Sequence, residues 1–155
     1  KQTKFVKREY ITCIIIFSII AFTACDQRYN TYNPIPEMPV NYTLNIVRDA
    51  PILMTQGGFI SITEPNKSGQ YIGYGGLLIF YGFDNYYYAY DLSCPHECKK
   101  EVRVIPSMAG IAECPECKTK YDIGFGTGMP SGGESEYGLR RYTVTISGEN
   151  LRVTK

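Results

Sequence analysis

The chain has no tryptophan and one histidine, His96, in 155 residues. A single imidazole excludes every site that needs two, including the two-histidine, one-carboxylate iron centre of oxygenases. It also leaves no ordinary Ser-His-Asp site, because His96 sits inside a cysteine cluster and would have to be withdrawn from it. Charge of one sign is scarce too. The net charge of +1 comes from Lys1, Lys4, Lys7 and Arg8; beyond residue 24, 12 Lys and Arg face 14 Asp and Glu. Phosphate backbones require a basic patch that this chain lacks, so nucleic acid is excluded as a partner. The glycines of Gly73-Tyr-Gly75-Gly76 and Gly124-Phe-Gly126-Thr-Gly128 lack the strand-to-helix setting of a nucleotide loop and read as turns and close backbone approaches.

The one extended apolar run is short. Ile11 to Ala24 spans 14 residues after a basic stretch, which matches a signal-peptide core and falls short of a comfortable membrane span. It ends in Phe22-Thr-Ala-Cys25, small residues directly before a cysteine. This resembles the lipobox of bacterial lipoproteins, with Phe22 in place of the commoner Leu. The resemblance implies a signal peptide over 1–24, lipidation of Cys25, and residence in the bacterial cell envelope, membrane-tethered and facing periplasm or cell surface. An uncleaved anchor helix or a buried core helix are the alternatives. Residues 25–39 carry three prolines in their last six positions, which predicts an extended tether.

From residue 40 to 155 the pattern is that of short strands. Val40–Val47 alternates apolar and polar with a period of two. Ile52–Met54, Phe59–Thr63, Leu77–Tyr81, Tyr86–Asp91, Leu139–Ile146 and Leu151–Val153 follow, separated by Gly, Pro and Asn turns. The Gly82–Asn85 turn predicts a hairpin between Leu77–Tyr81 and Tyr86–Asp91. The tyrosines at 86–88 and 90 suit a pleated surface and read as packing residues rather than a ligand platform. No apolar stripe of helical period runs through three turns, so the fold class is all-β, a sandwich or barrel.

The chemistry lies between Ser93 and Asp122. With Cys13 in the leader and Cys25 lipidated, four cysteines remain, in two knuckles, Cys94-Pro-His-Glu-Cys98 and Cys114-Pro-Glu-Cys117, 15 residues apart. Four soft thiolates and an imidazole at two chain reversals can saturate a tetrahedral metal or a small cluster. Proline after each first cysteine stiffens the knuckle and removes a competing backbone donor.

These residues resemble the Rieske iron–sulfur proteins, whose pattern is C-x-H, a gap, then C-x-x-H. Cys94-Pro-His96, 17 intervening residues and Cys114-Pro-Glu-Cys117 match three of the four ligand positions, with Cys117 where the family has His. Thr119 and Tyr121 stand where the family's Ser and Tyr hydroxyls donate to cluster sulfurs. Gly126–Gly133 and Leu139–Tyr142 are similar to its proline loop and closing strands. The resemblance implies an antiparallel β sandwich or barrel with a small two-loop metal-binding subdomain, its loops at 93–99 and 113–122. It implies a [2Fe-2S] cluster with Cys94 and Cys114 on one iron and His96 and Cys117 on the other. An extra thiolate adds negative charge, so the expected potential lies below the usual roughly −150 to +300 mV of Rieske centres, toward the roughly −400 mV of plant-type clusters. The interloop disulfide of cytochrome bc complexes would need a cysteine at Glu116 and cannot form in the usual way.

Three other arrangements use the same residues. Cys94, Cys98, Cys114 and Cys117 make a four-thiolate zinc knuckle with His96 as a loop residue. In an exported protein the four form disulfides, in any of three pairings. Or they stay as free thiols in a domain without a cofactor. The corresponding functions are a one-electron carrier with a redox partner protein, or a binding or structural lipoprotein whose metal or disulfides staple two loops. Neither is a self-sufficient enzyme, since no ligands remain for a catalytic iron.

Overall fold

The computed structural model describes residues 32–155. The expected leader, the lipidated Cys25 and the first part of the tether lie outside the described residues. The domain is built of eleven strands and little helix. Strand β1 (Val40–Asn45) runs into a single helical turn, α1 (Ile46–Asp49). Asn45 stops the strand: its side chain accepts from the Arg48 N–H while Asp49 accepts from the Asn45 N–H, a reciprocal cap. The expected strand at Ile52–Met54 is instead a 3-10 turn (Pro51–Met54). Pro51 fixes its φ in the helical range at the first position, and that local preference outweighs three apolar residues in a row.

There follow β2 (Phe59–Ile62), β3 (Tyr71–Ile72), β4 (Leu77–Tyr81), β5 (Tyr87–Asp91), β6 (Ile105–Pro106), β7 (Ile111–Glu113), β8 (Lys120–Asp122), β9 (Pro130–Gly132), β10 (Arg141–Ser147) and β11 (Asn150–Thr154). Seven form one antiparallel sheet in the order β2-β4-β5-β10-β11-β1-β3, and β6 to β9 form a second, in sequence order. The predicted hairpin is present, with Leu77 opposite Asp91 and Tyr81 opposite Tyr87. A tight turn at Gly148-Glu149 joins β10 to β11, with Gly148 at φ +58°. Among the described residues no helix is long and apolar enough to cross a membrane.

The β4–β5 hairpin explains why its sequence does not alternate. Leu77, Ile79 and Ala89 face one apolar core with Tyr42, Leu44, Leu151 and Val153. Leu78, Phe80, Tyr88 and Tyr90, one residue out of phase, face a second core with Cys94, Ala112, Cys114, Tyr121 and Ile123. A strand buried on both faces reads as a continuous apolar run. The second core cements the small sheet to the large one, and its cysteines belong to the knuckles. Most of the tyrosine run is spent on packing: Tyr88 and Tyr90 are buried and Tyr87 stacks on Tyr81 with centroids 4.5 Å apart, while Tyr86 is exposed.

One fully buried carboxylate ties the hairpin to both neighbours. Asp91 accepts from the backbone N–H groups of Tyr74, Gly75 and Ser93 at 2.7, 2.9 and 2.8 Å, and from the Tyr142 hydroxyl at 2.8 Å. Gly75 packs so tightly on Ser93 that a Cβ would overlap it. The glycines of this loop thus serve close approach.

The proline-rich segment is anchored at its C-terminal end. Ile35 is buried, the Asn33 amide donates to the Gly138 carbonyl at 2.9 Å, and Arg140 donates to the carbonyls of Asn33 and Ile35. The strap expected up to Pro39 therefore lies against the domain from Asn33 onward. An apolar Ile between two prolines supplied the buried contact that a solvated strap would lack.

Candidate metal centre

The first knuckle follows β5 through Leu92 and Ser93; the second joins β7 to β8. They are built alike. Cys94 donates its N–H to Val102 and Cys114 to Thr119. Each turn then closes on its own cysteine carbonyl, from Cys98 N–H at 2.9 Å and from Lys118 N–H at 3.1 Å. The fifth residue of each takes a left-handed conformation, Cys98 at φ +52° and Lys118 at φ +57°. Each then turns its side chain back to the proline carbonyl: Cys98 Sγ to Pro95 at 3.0 Å, and Lys118 Nζ to Pro115 at 2.6 Å. Cys98 is therefore the counterpart of Lys118, a residue that caps its own turn.

The other three thiols converge. The Sγ atoms of Cys94, Cys114 and Cys117 all lie within 4.8 Å of one another, with Cys94 and Cys117 3.7 Å apart. Cys94 and Cys114 are buried, and Cys117 is half-buried. Two thiolates bonded at about 2.3 Å to one tetrahedral ion sit about 3.8 Å apart, so this is the spacing of sulfurs sharing a metal. The four described cysteines are free thiols, with none of the three alternative disulfide pairings present. The four-thiolate arrangement is not assembled either, because Cys98 stands outside the trio. His96 is also outside it, half exposed, with Nε2 3.6 Å from Glu134 Oε2.

Two hydroxyls aim at the sulfurs. The Tyr121 hydroxyl lies 3.2 Å from Cys94 Sγ, and Thr119 Oγ1 lies 3.2 Å from Cys117 Sγ. Both residues are fully buried. Thr119 Oγ1 already accepts from the N–H groups of Glu134 and Ser135 at 3.0 and 3.1 Å. With its lone pairs taken, its proton is directed at a Cys117 thiolate. Sequence reasoning singled out Thr119 and Tyr121 but missed Glu134 and Ser135. No local signal marks them, since the loop meets the knuckles only in the folded chain. A surface ion pair, Lys99 to Glu116 at 3.5 Å, links the two knuckles.

The thiols are not equivalent. Burial pushes Cys114 up to about 12. Burial, with Cys94 and Glu97 nearby, raises Cys98. Burial also opposes ionisation of Cys117, yet donation from Thr119 and from the two neighbouring thiols holds it below an ordinary thiol. Accordingly, limited alkylation of the reduced, metal-free chain near neutral pH is expected to label Cys117 ahead of Cys98 and Cys114, as read by peptide mass mapping. Preferential labelling of Cys98 would contradict this ordering.

No protein-family model matches the chain, and no curated protein does. Solved structures are similar in fold. The quaternary ammonium Rieske monooxygenase CntA, in complex with an inhibitor, aligns with a TM-score of 0.50 at 12% identity over 78% of this chain and 31% of that one. The complex of reduced oxygenase and oxidized ferredoxin in carbazole 1,9a-dioxygenase gives 0.48 at 19% identity, over 73% and 100% of the two chains. A ferredoxin of Sphingomonas yanoikuyae B1 gives 0.45 at 17%, over 65% and 88%. The domain is all-β and Rieske-like in fold.

Proposed function

We propose that this chain is a one-electron carrier, holding a [2Fe-2S] cluster through Cys94, Cys114, Cys117 and His96 and tethered at the bacterial cell envelope by a lipid on Cys25. The observation that carries the reading is the convergence of three thiols beneath two matched knuckles, with a buried hydroxyl aimed at two of them. The donor set fits the group: three soft thiolates already gathered, and the chain's one imidazole two residues beyond Cys94 on the same knuckle. When bound, the cluster takes up and releases single electrons, passing them between a donor and a redox partner protein. The protein's own contribution is to bury the sulfurs, exclude water from Cys94 and Cys114, and stabilise thiolate charge with the Tyr121 and Thr119 hydroxyls.

A second reading has its own observation. Because all three sulfurs lie within 4.8 Å of one another, the site also suits a single ion, a zinc staple of three thiolates and His96 that holds the loops together without redox work. This differs from the expected four-thiolate knuckle in using His96 in place of Cys98. Purification of the chain without oxygen decides between the two. Broad visible absorption with roughly two irons and two labile sulfides per chain supports the carrier. A colourless protein with about one zinc supports the staple and overturns the carrier.

The hydroxyls carry a further expectation. Reduction adds negative charge, which a donor at a ligand sulfur stabilises. Tyr121→Phe removes a hydrogen bond worth about 1 kcal/mol, so the midpoint potential of the loaded protein is expected to fall by about 40 mV. Redox titration monitored by visible absorption checks the sign, and a rise would contradict the proposed role.

A further inference from the structure

A third loop, between β9 and β10, overlooks both knuckles. It is moored to Thr119: Gly133 adopts φ +114° and packs so closely that a Cβ would run into the Thr119 backbone. The next two N–H groups, of Glu134 and Ser135, both donate to Thr119 Oγ1. The buried hydroxyl that serves Cys117 thus also fixes the backbone from which Glu134 reaches toward His96. The Glu134 carboxylate faces Nε2 of that ring at 3.6 Å, an electrostatic contact just longer than a formed hydrogen bond. An imidazole keeps its proton on the nitrogen that faces a carboxylate and its lone pair on the other.

We infer that Glu134 is a positioning residue of the metal centre, holding Nε2 of His96 so that Nδ1 is the nitrogen offered to the metal. The inference rests on the metal-binding reading above. Glu97, adjacent to His96 in sequence, is engaged by Lys99 at 3.5 Å, which leaves Glu134 as the carboxylate paired with the ring. Carboxylates behind a ligating histidine orient the ring and raise its basicity, and losing one typically costs about 10–100-fold in metal affinity.

The test is a cobalt(II) titration of the reduced full-length chain, followed by thiolate-to-cobalt absorption. It compares the unaltered chain with Glu134→Gln, His96→Ala, the double variant and Glu136→Gln. Glu134→Gln is expected to weaken cobalt binding about 10–100-fold, and Glu136→Gln to leave it unchanged. In the His96→Ala background, Glu134→Gln should add nothing, because the carboxylate acts through the ring. The Glu134 side chain is 72% exposed, so the amide is expected to fold normally, and an unchanged metal-free melting curve checks this. Cobalt affinity unaffected by Glu134→Gln overturns the inference. So does an equal loss with and without His96, which would mark a general charge effect. If His96→Ala binds as tightly as the unaltered chain, the three-thiol centre stands and the role of Glu134 falls. Absence of any thiolate-to-cobalt band in the unaltered chain overturns both.

Discussion

On the proposed metal-binding reading, replacing Cys114 with serine is expected to remove the metal, whereas the same change at Cys98 should leave it bound. Structural zinc sites supply about 10–16 kcal/mol from four ligands, so one thiolate is worth roughly 3 kcal/mol, about a hundredfold in affinity or more. Cys114 belongs to the trio and is buried against Ala112 and Tyr121. Its hydroxyl replacement would be a poorer ligand in an apolar setting, with a further cost from burying a polar group. Cys98 Sγ spends its hydrogen bond on the Pro95 carbonyl, as Lys118 Nζ does on Pro115, and a serine hydroxyl can make the same bond. Metal content after anaerobic purification, with Cys117→Ser as a second, half-buried trio variant, provides the measurement. Retained metal in both trio variants, or loss in Cys98→Ser, would reverse the ligand assignment.

The second large effect concerns stability. Asp91→Ala is expected to destabilise the fold by at least about 3 kcal/mol, because it strands four donors at once, three of them buried and the Tyr74 N–H partly so. Three are backbone N–H groups that have no other partner in that loop, and one of these, of Ser93, directly precedes Cys94. The variant should therefore lose the register of the first knuckle along with its stability. Tyr142→Phe deletes a single donor to the same carboxylate and should cost only about 1 kcal/mol. Urea unfolding of the two variants against the unaltered chain separates the outcomes. Equal losses would mean that Asp91 serves chiefly as a partner for Tyr142.

The two apolar cores divide the labour within the chain. The large sheet has its own apolar core, and its strand β5 leads through Leu92 and Ser93 into the first knuckle. The second core, filled from β4 and β5, then seats Cys94 and Cys114. Both knuckles thus arise from rigid strand ends, which is where a site needing sub-ångström placement is best built.

Much of this was legible in the residues themselves. The period-two pattern read over Val40–Val47, realised as a strand as far as Asn45, the Gly82–Asn85 hairpin turn and the absence of helical stripes determined an all-β domain, because strand faces and turn chemistry are local properties. Paired Cys-Pro dipeptides at a fixed interval marked the two loops, and the resemblance to the Rieske pattern pointed to Thr119 and Tyr121, whose hydroxyls lie 3.2 Å from Cys117 and Cys94 Sγ. Other outcomes depended on contacts between distant parts of the chain. Ile35, between two prolines, found a buried place that no periodicity foretells. The choice of three cysteines from four was made by backbone geometry: a left-handed fifth residue turns Cys98 away from the trio, and spacing alone does not reveal that φ. Nor does any local pattern bring Glu134 to His96. That meeting exists because Thr119 moors a third loop over the knuckles, and only the folded chain assembles all three.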